Sequence, residues 1–169
     1  MFGIFKKQPV PSGPIPFDFD ILIDKPVSEV YPLVDWADPR NAKRQLGHVV
    51  EGQSPAFVLH LSSMPENRFA LEVTEEKKDE AYAYRCDIQP RVGRLESSHE
   101  RYTFESVGDT QCLLRLVVEA TFIERMTMAE FEEELMMVSV ACNNSLAKLK
   151  IHAEHGLAAA QNAEHITFT

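Results

Sequence analysis

Apolar and polar residues alternate in six segments between residues 48 and 124, and only short gaps separate these segments. The gaps contain turn-forming residues, for example Ser54-Pro55 and Gly108-Asp109. Alternation with a period of two is typical of half-buried strands, and parallel neighbours need connections of about a dozen or more residues. The sequence therefore predicts an antiparallel meander. Its strands are predicted at His48–Gln53, Ala56–Ser63, Asn67–Glu76, Glu80–Ile88, Leu95–Val107 and Thr110–Glu124.

A seventh strand and two short helices are predicted before the meander. The strand begins at Phe17, where apolar residues start to alternate with aspartates, and it ends at Lys25-Pro26. The helices are predicted at Ser28–Val34 and Pro39–Leu46. Asp38 is a suitable N-cap for the second helix, because its carboxylate can accept from free backbone amides at the helix start.

The clearest helix in the sequence follows the meander. Thr127 and Glu130 have the spacing of a capping box, and Gly156 is a typical residue at a helix end. The helix between them is predicted to be about 40 Å long, from a rise of about 1.5 Å per residue. One of its faces is apolar and comprises Phe131, Leu135, Val138, Cys142, Leu146, Leu149 and Ala153.

Strand periodicity predicts a sheet with one apolar face and one polar face. The polar face includes charged pairs such as Glu72 and Arg85, which contribute about 0 to 1 kcal/mol each when they are exposed. Burying a Leu or Phe side chain contributes about 1.5 to 3 kcal/mol, so we expect the apolar sheet face to pack against the long helix. The fold class is therefore predicted to be α+β, with the sheet wrapped around the C-terminal helix.

Several short motifs occur in an order that resembles a known superfamily. They are the opening Phe19–Pro26 strand, Val30-Tyr31 with Asp35-Trp36, the strand after Gly108-Asp109-Thr110, and the terminal 146–150 segment. Together they resemble the START-like, or SRPBCC, superfamily of helix-grip proteins, over Phe17 to Gly156. The resemblance implies a seven-stranded sheet that grips a C-terminal helix and a cavity between them. Members include lipid carriers, polyketide cyclases, co-chaperone domains and ring-hydroxylase subunits, so the resemblance leaves the chemistry open.

The chain is expected to form one domain over residues 17–156, because 169 residues with 44% apolar content suit a single core. Prolines at positions 9, 11, 14 and 16 predict an extended tail over residues 1–16, and residues 157–169 are predicted as a C-terminal tail. The segment Met1–Lys7 has apolar residues and two lysines that could touch a membrane surface, or it could be a frayed end.

Charge and cysteine content exclude several classes of partner and site. The formal net charge is −9 and no block of basic residues occurs, which argues against nucleic acid. The three cysteines are scattered and odd in number, as expected of free thiols in a reducing compartment. No run of about 18 apolar residues predicts a membrane helix, so the protein is expected in the cytoplasm. No cofactor motif is present.

These features favour the binding or carriage of an apolar small molecule, such as a lipid, a polyketide or an aromatic compound, between the sheet and the helix. The tyrosines among the inward residues could bond a polar end of the ligand or could simply pack in the core. The cysteines are expected to fill the core. The predicted ligand-contacting residues are Phe57, Leu59, Leu71, Tyr82, Tyr84, Cys86, Ser98, Glu100, Tyr102, Leu116, Val118, Leu135, Val138 and Cys142.

Glu100 is the one weak candidate for a catalytic residue. Glu96, Ser98 and Glu100 share the parity of the inward positions, and a desolvated carboxylate can act as a general acid or base. With such a residue the protein could be an enzyme of the cyclase or dehydratase type, in which Glu100 or a tyrosine moves a proton on the substrate. A β-bulge near Arg94 or Ser97 would reverse the parity and turn Glu100 to solvent. A position at the rim of the interior is the other alternative for Glu100.

Two further patterns concern the long helix. His152 and His155, with His165 beyond them, suggest a metal site only weakly, since no carboxylate completes the set and cations are favourable at a helix C-terminus. No metal is therefore predicted. A second apolar stripe could mediate self-association or bind a partner, or a terminal tail could fold over it. This stripe comprises Met136, Val140, Ala147 and Ile151, with Met137 beside them.

Overall fold

The computed structural model describes residues 9–168 and contains one antiparallel sheet and four helices. The sheet has seven strands in the order β1-β7-β6-β5-β4-β3-β2. They are β1 (Ile15–Ile23), β2 (Val49–Gln53), β3 (Ala56–His60), β4 (Arg68–Lys77), β5 (Ala81–Gln89), β6 (Leu95–Val107) and β7 (Gln111–Phe122). The helices are α1 (Val27–Val34), α2 (Ala42–Gln45), α3 (Met128–His155) and α4 (Leu157–Ala163).

The predicted meander is confirmed, since each strand from β2 to β7 pairs antiparallel with the next along the chain. β1 closes the order by pairing with β7, from Ile15 opposite Ala120 to Ile23 opposite Cys112. β1 thus begins two residues before the predicted start at Phe17. Pro16 fits there because β1 is an edge strand, where a missing backbone donor is tolerated.

The predicted cap of the second helix is wrong. α2 is capped by Asn41, whose side-chain oxygen accepts from the backbone amides of Lys43 and Arg44 at 3.0 and 3.4 Å. Asp38 instead accepts from the backbone amide of Arg40 and pairs with its guanidinium in a local turn. Both residue types form such bonds readily, and Asn41 can also donate to two carbonyls of the preceding turn, which fixes the helix start there.

The long helix is confirmed, including its capping box and its end at Gly156. Within the segment predicted as a tail, residues 157–163 form α4 and pack back on α3. Lys148 of α3 donates to the backbone carbonyl of Glu164 at 2.8 Å, and the side chain of Asn144 accepts from the amide of Phe168 at 2.6 Å. These contacts hold the C-terminal segment along the helix.

The core lies between the concave face of the sheet, α1 and α3. Ile23, Val30, Cys112 and Leu114 have no measurable exposure, and Leu146 of α3 joins the same cluster. Burial of apolar side chains at this density is the main stabilising contribution in a domain of this size.

A salt bridge ties the start of β6 to α3. Arg94 contacts both Glu130 and Glu134 of α3, at 2.9 and 3.2 Å. Glu134 also accepts from the backbone amide of Arg94, and its side chain is almost fully buried. Directly after this anchor, the pairing of β6 with β7 shifts register between Leu95 and Ser97.

Candidate ligand-binding site

Strands β5 and β6 bring the polar inward residues together. Tyr84 lies opposite Glu100 in the antiparallel register, Cys86 lies opposite Ser98, and Tyr82 lies opposite Tyr102. Residues directly opposite one another on the same face of a sheet have neighbouring side chains. The register alone therefore forms a compact group on the face that points at α3.

Glu100 is at the centre of this group. Its carboxylate accepts from the hydroxyl of Tyr84 at 2.7 Å and from the hydroxyl of Ser98 at 3.2 Å. Burial raises the pKa of Glu100, while the hydroxyls of Tyr84, Ser98 and Tyr102 oppose the rise by bonding its charged form. Burial also raises the pKa values of Tyr84 and Tyr102, and the nearby Glu100 adds to both shifts. The tyrosines thus remain hydrogen-bond donors around an easily protonated carboxyl group.

The alternative in which a bulge turns Glu100 to solvent is wrong. A bulge does occur, but it lies between Leu95 and Ser97, before the inward positions. Glu96 is consequently exposed, whereas Ser98 is buried and Glu100 is half-buried. The bulge therefore removes only the first of the three residues from the predicted inward set.

The helix side of the site is less tightly packed than the sheet side. Phe131 and Leu146 of α3 are buried, but Leu135, Val138 and Cys142 between them on the same face are only half-buried. Burial raises the pKa of Cys142, and the charge on Glu100 raises it further. The effect of Glu100 indicates that the two side chains are near each other. Accessible surface on these inward residues means that the sheet does not cover this part of the helix completely.

Aromatic packing fills the neighbouring part of the interior. Tyr31 of α1 contacts the rings of Tyr82 and Phe104 at centroid distances of 6.1 and 5.2 Å. The hydroxyl of Tyr82 accepts from the backbone amide of Trp36, and is therefore already engaged by the protein. Of the three predicted tyrosines, Tyr84 and Tyr102 have hydroxyls next to Glu100, whereas Tyr82 serves the packed core.

The remaining predicted residues of the sheet are buried on the same concave face. Phe57 and Leu71 lie opposite each other in β3 and β4, which extends the apolar surface away from Glu100. None of these residues has a polar group to offer a ligand, so any contribution would be apolar contact. They are Phe57, Leu59, Leu71, Leu116 and Val118.

The three cysteines are free. Burial raises the pKa of Cys142 to about 12 and that of Cys112 to about 11, and it also raises the pKa of Cys86. A thiol with a raised pKa is a poor nucleophile because little of it is thiolate. This agrees with their expected role as core residues.

The histidines near the end of α3 do not converge. His152 is buried, with its Nε2 2.6 Å from the side-chain oxygen of Gln45, whereas His155 and His165 are exposed. Within residues 9–168, no cluster of three or more histidine, cysteine or carboxylate side chains is arranged to hold a metal ion.

The outer apolar stripe of α3 divides into two parts. Met136 and Met137 are 69% and 50% exposed, whereas Val140, Ala147 and Ile151 are half-buried. The C-terminal segment packs along the latter half of the helix, which matches the alternative that a tail folds over the stripe. The predicted membrane contact of Met1–Lys7 lies outside the described residues.

A polar cleft that the sequence did not predict lies at the edge of the interior. It measures about 470 Å³ and is lined by residues of α2, α3, the β3–β4 connection and the C-terminal segment. Its charged or ionisable residues are Lys43, His48, Lys148, Glu164 and His165. These positions are distant in sequence, so only the tertiary fold reveals the cluster.

No model of a known protein family matches the sequence, and no curated protein matches it. No helix among residues 9–168 is both long enough and apolar enough to cross a membrane. Solved structures, by contrast, match over most of the chain.

One match is CalU16 from Micromonospora echinospora, with a TM-score of 0.60, 17% identity, and coverage of 92% of this chain and 88% of that one. The ZhuI aromatase/cyclase from a Streptomyces species matches with a TM-score of 0.57, 15% identity, and coverage of 90% and 94%. Ara h 8.0201 matches with a TM-score of 0.60, 10% identity, and coverage of 89% and 97%.

DynU16, a protein of the dynemicin biosynthetic locus, matches with a TM-score of 0.63 and 16% identity. The match covers 85% of this chain but only about half, 49%, of DynU16. At these identities the matches establish the fold, and they agree with the seven-stranded sheet and long C-terminal helix described above. The chain therefore has the helix-grip fold that the resemblance implied.

Proposed function

We propose that the protein binds an apolar small molecule between the concave face of the sheet and helix α3. The observation that carries the proposal is the incomplete cover of Leu135, Val138 and Cys142 on one face of α3, where Cys142 lies near the hydrogen-bonded Glu100. Pockets for small molecules typically combine apolar walls with a few placed polar groups. This part of the interior has both.

The polar group at the centre suggests what kind of ligand would be oriented there. A carboxyl group with a raised pKa can donate a hydrogen bond when protonated and accept one when ionised, and Tyr84 can donate beside it. A ligand with a hydroxyl or carbonyl group on an apolar ring system would satisfy these partners. The fold shared with an aromatase/cyclase supports a ring-bearing occupant of this kind.

Uptake of the uncharged fluorophore N-phenyl-naphthylamine tests the proposal. We expect saturable binding by the wild-type protein, weakened about tenfold in Leu135→Trp, because the larger side chain would fill the gap. Met136→Trp is the matched control, since Met136 is the adjacent residue on α3 and is 69% exposed. The control should bind as the wild type does. Absence of uptake by folded wild-type protein, or equal weakening in both variants, would contradict the proposal.

A cyclase or dehydratase is the second candidate, and the raised pKa of Glu100 is the observation that favours it. A carboxylate of this kind can take a proton from the carbon next to a substrate carbonyl, which allows a new carbon–carbon bond to form in a polyketide-like chain. Glu100→Gln should then abolish turnover while the fluorophore still binds. Turnover that survives in this variant would remove the assignment.

We propose the cytoplasm as the compartment in which this binding occurs. Cys86, Cys112 and Cys142 are all free thiols, and unpaired cysteines are typical of proteins that stay in a reducing environment. Fractionation of cells that express the protein, followed by immunoblotting, would test the assignment; recovery from any other fraction would contradict it.

A further inference from the structure

We propose that the polar cleft next to the interior binds an anionic group, a carboxylate, sulfonate or phosphate, at one end of the apolar ligand. This inference deepens the proposed function and rests on it, because the anion would belong to the molecule that occupies the interior. It narrows the ligand class from apolar to amphipathic.

The charge of the cleft favours an anion. Lys43 and Lys148 both line it, and the only carboxylate among the lining residues is that of Glu164. Neither lysine has an ion-pair partner within 4.0 Å among the residues that the structure describes, and Lys148 also donates to the backbone carbonyl of Glu164. With neutral histidines the cleft is cationic, on a chain whose formal net charge is −9. Such a local reversal of charge attracts anions.

The cleft also contains a buried hydrogen-bond donor that lacks a well-placed partner, on His48. The His48 side chain is only 5% exposed, and its Nδ1 accepts from the backbone amide of Ser62 at 3.2 Å. Nδ1 is thus an acceptor, so the neutral ring carries its proton on Nε2. Nε2 is buried without a hydrogen bond; the closest carboxylate oxygen, on Glu164, is 3.5 Å away, which is long for such a bond.

A buried donor without a partner is costly, so it usually marks a position where another molecule or water completes the bond. Burial lowers the pKa of His48, and the adjacent Lys43 lowers it further, while Glu164 opposes the shift. The ring is therefore held neutral, with an N–H group directed at the cleft. An anion would meet this donor and two ammonium groups at once.

The cleft adjoins the interior through Lys43 and two leucines. Burial lowers the pKa of Lys43; Glu164 and Glu100 oppose the shift, and Lys148 reinforces it. Lys43 is therefore close enough to interact with Glu164 in the cleft and with Glu100 in the interior. Leu46 and Leu61 line the same cleft, and Leu61 packs against the core cluster. An apolar ligand could thus extend from the interior and place its charged end in the cleft.

Two fluorophores with the same ring system test this inference directly. Anilinonaphthalene sulfonate carries one negative charge, and N-phenyl-naphthylamine is its uncharged counterpart. We expect the wild-type protein to bind the sulfonate about tenfold more tightly, as charge-assisted hydrogen bonds would give. The double variant Lys43→Gln with Lys148→Gln should lose this preference and retain its affinity for the uncharged dye. Glu164→Gln should strengthen sulfonate binding, because it removes the repulsive carboxylate.

Lys78→Gln is the matched control for the double variant. Lys78 is exposed in the turn after β4, outside the cleft, so this variant loses the same type of charge elsewhere and should keep the preference. Equal affinity of the wild type for both dyes would overturn the inference and leave the proposed function intact. If folded protein binds neither dye, the proposed function fails, and the inference with it. Binding of inorganic phosphate that does not compete with the sulfonate would overturn the link to the ligand's own end.

Discussion

The interior between the sheet and α3 contains two regions that differ in packing. The packed region, which contains Ile23, Val30, Tyr31, Phe104 and Leu114, is closed by α1 and is essentially inaccessible. The open region contains Glu100 on the sheet and Leu135, Val138 and Cys142 on the helix, all of them half-buried.

Both regions lie between the same sheet face and the same helix α3, so the difference between them comes from the helix α1, which covers only the packed region. α1 contributes Tyr31, whose ring contacts Phe104. In the open region the polar centre is instead the Glu100 carboxyl group, which accepts from the hydroxyls of Tyr84 and Ser98. We therefore expect the packed region to determine stability and the open region to determine binding. Mutations in the two regions should have different effects.

Leu114→Ala should have the largest effect, because Leu114 lies in the packed region without any exposure. We expect a loss of about 2 to 5 kcal/mol in the free energy of unfolding, from lost apolar burial and the cavity left behind. Urea unfolding followed by circular dichroism measures it. Dye affinity of the fraction that remains folded should be unchanged. A loss below about 1 kcal/mol would contradict the distinction between the two regions.

Leu135→Ala should have a smaller effect on stability. Leu135 is half-buried, so the same truncation should lower the free energy of unfolding by only about 1 kcal/mol. The open region should nevertheless still take up N-phenyl-naphthylamine, since the gap becomes larger. A destabilisation equal to that of Leu114→Ala would show that this region is packed like the rest of the core.

Glu100→Gln should have the smallest effect on stability, seen as a change in its pH dependence. The pKa of Glu100 is raised in the folded protein, so folding favours its protonated form. Wild-type stability should therefore fall as pH rises from the ordinary value of 4.5 through the folded pKa. In the Gln variant this decline should be absent. Urea unfolding between about pH 4 and about pH 8 measures the difference.

Glu75, on the outer face of the sheet, provides a control because its pKa is shifted in the opposite direction to that of Glu100. Hydrogen bonds from Arg101 and Lys77 lower the pKa of Glu75 to about 2. The ionised Glu75 carboxylate should therefore add to the free energy of unfolding above the ordinary pKa of 4.5, and this contribution should disappear as pH falls towards 2. Glu75→Gln should thus leave the decline above pH 4.5 unaltered. Loss of that decline in Glu75→Gln, rather than in Glu100→Gln, would refute the assignment.

Local signals in the sequence were sufficient for most of the fold. The capping box at Thr127 and Glu130 involves residues three apart, so its geometry depends little on the rest of the chain. Strand alternation identified the concave face for the same reason. By contrast, Asp38 and Asn41 are both good caps, and the choice between them depends on carbonyls to which only Asn41 can donate.

Features that depend on distant contacts were not predictable in this way. The bulge at Leu95–Ser97 follows the Arg94 contacts with α3, about forty residues further along the chain. The turn of residues 157–163 back onto α3 requires partners such as Lys148. The cationic cleft combines residues from four separate segments. The sequence predicted Glu100 as an inward residue, but it could not reveal the cleft beside it.

The bulge in β6 has an evolutionary consequence. Since successive strand residues point to opposite sides, a change of one residue in a regularly paired strand exchanges the two faces of everything beyond it. Glu96 is the extra residue of the bulge, because Leu95 pairs with Phe122 and Ser97 pairs with Thr121, so its deletion would make the pairing regular and leave Glu100 on the concave side. In this architecture a single-codon deletion at the bulge can therefore shorten β6 without moving the interior acid.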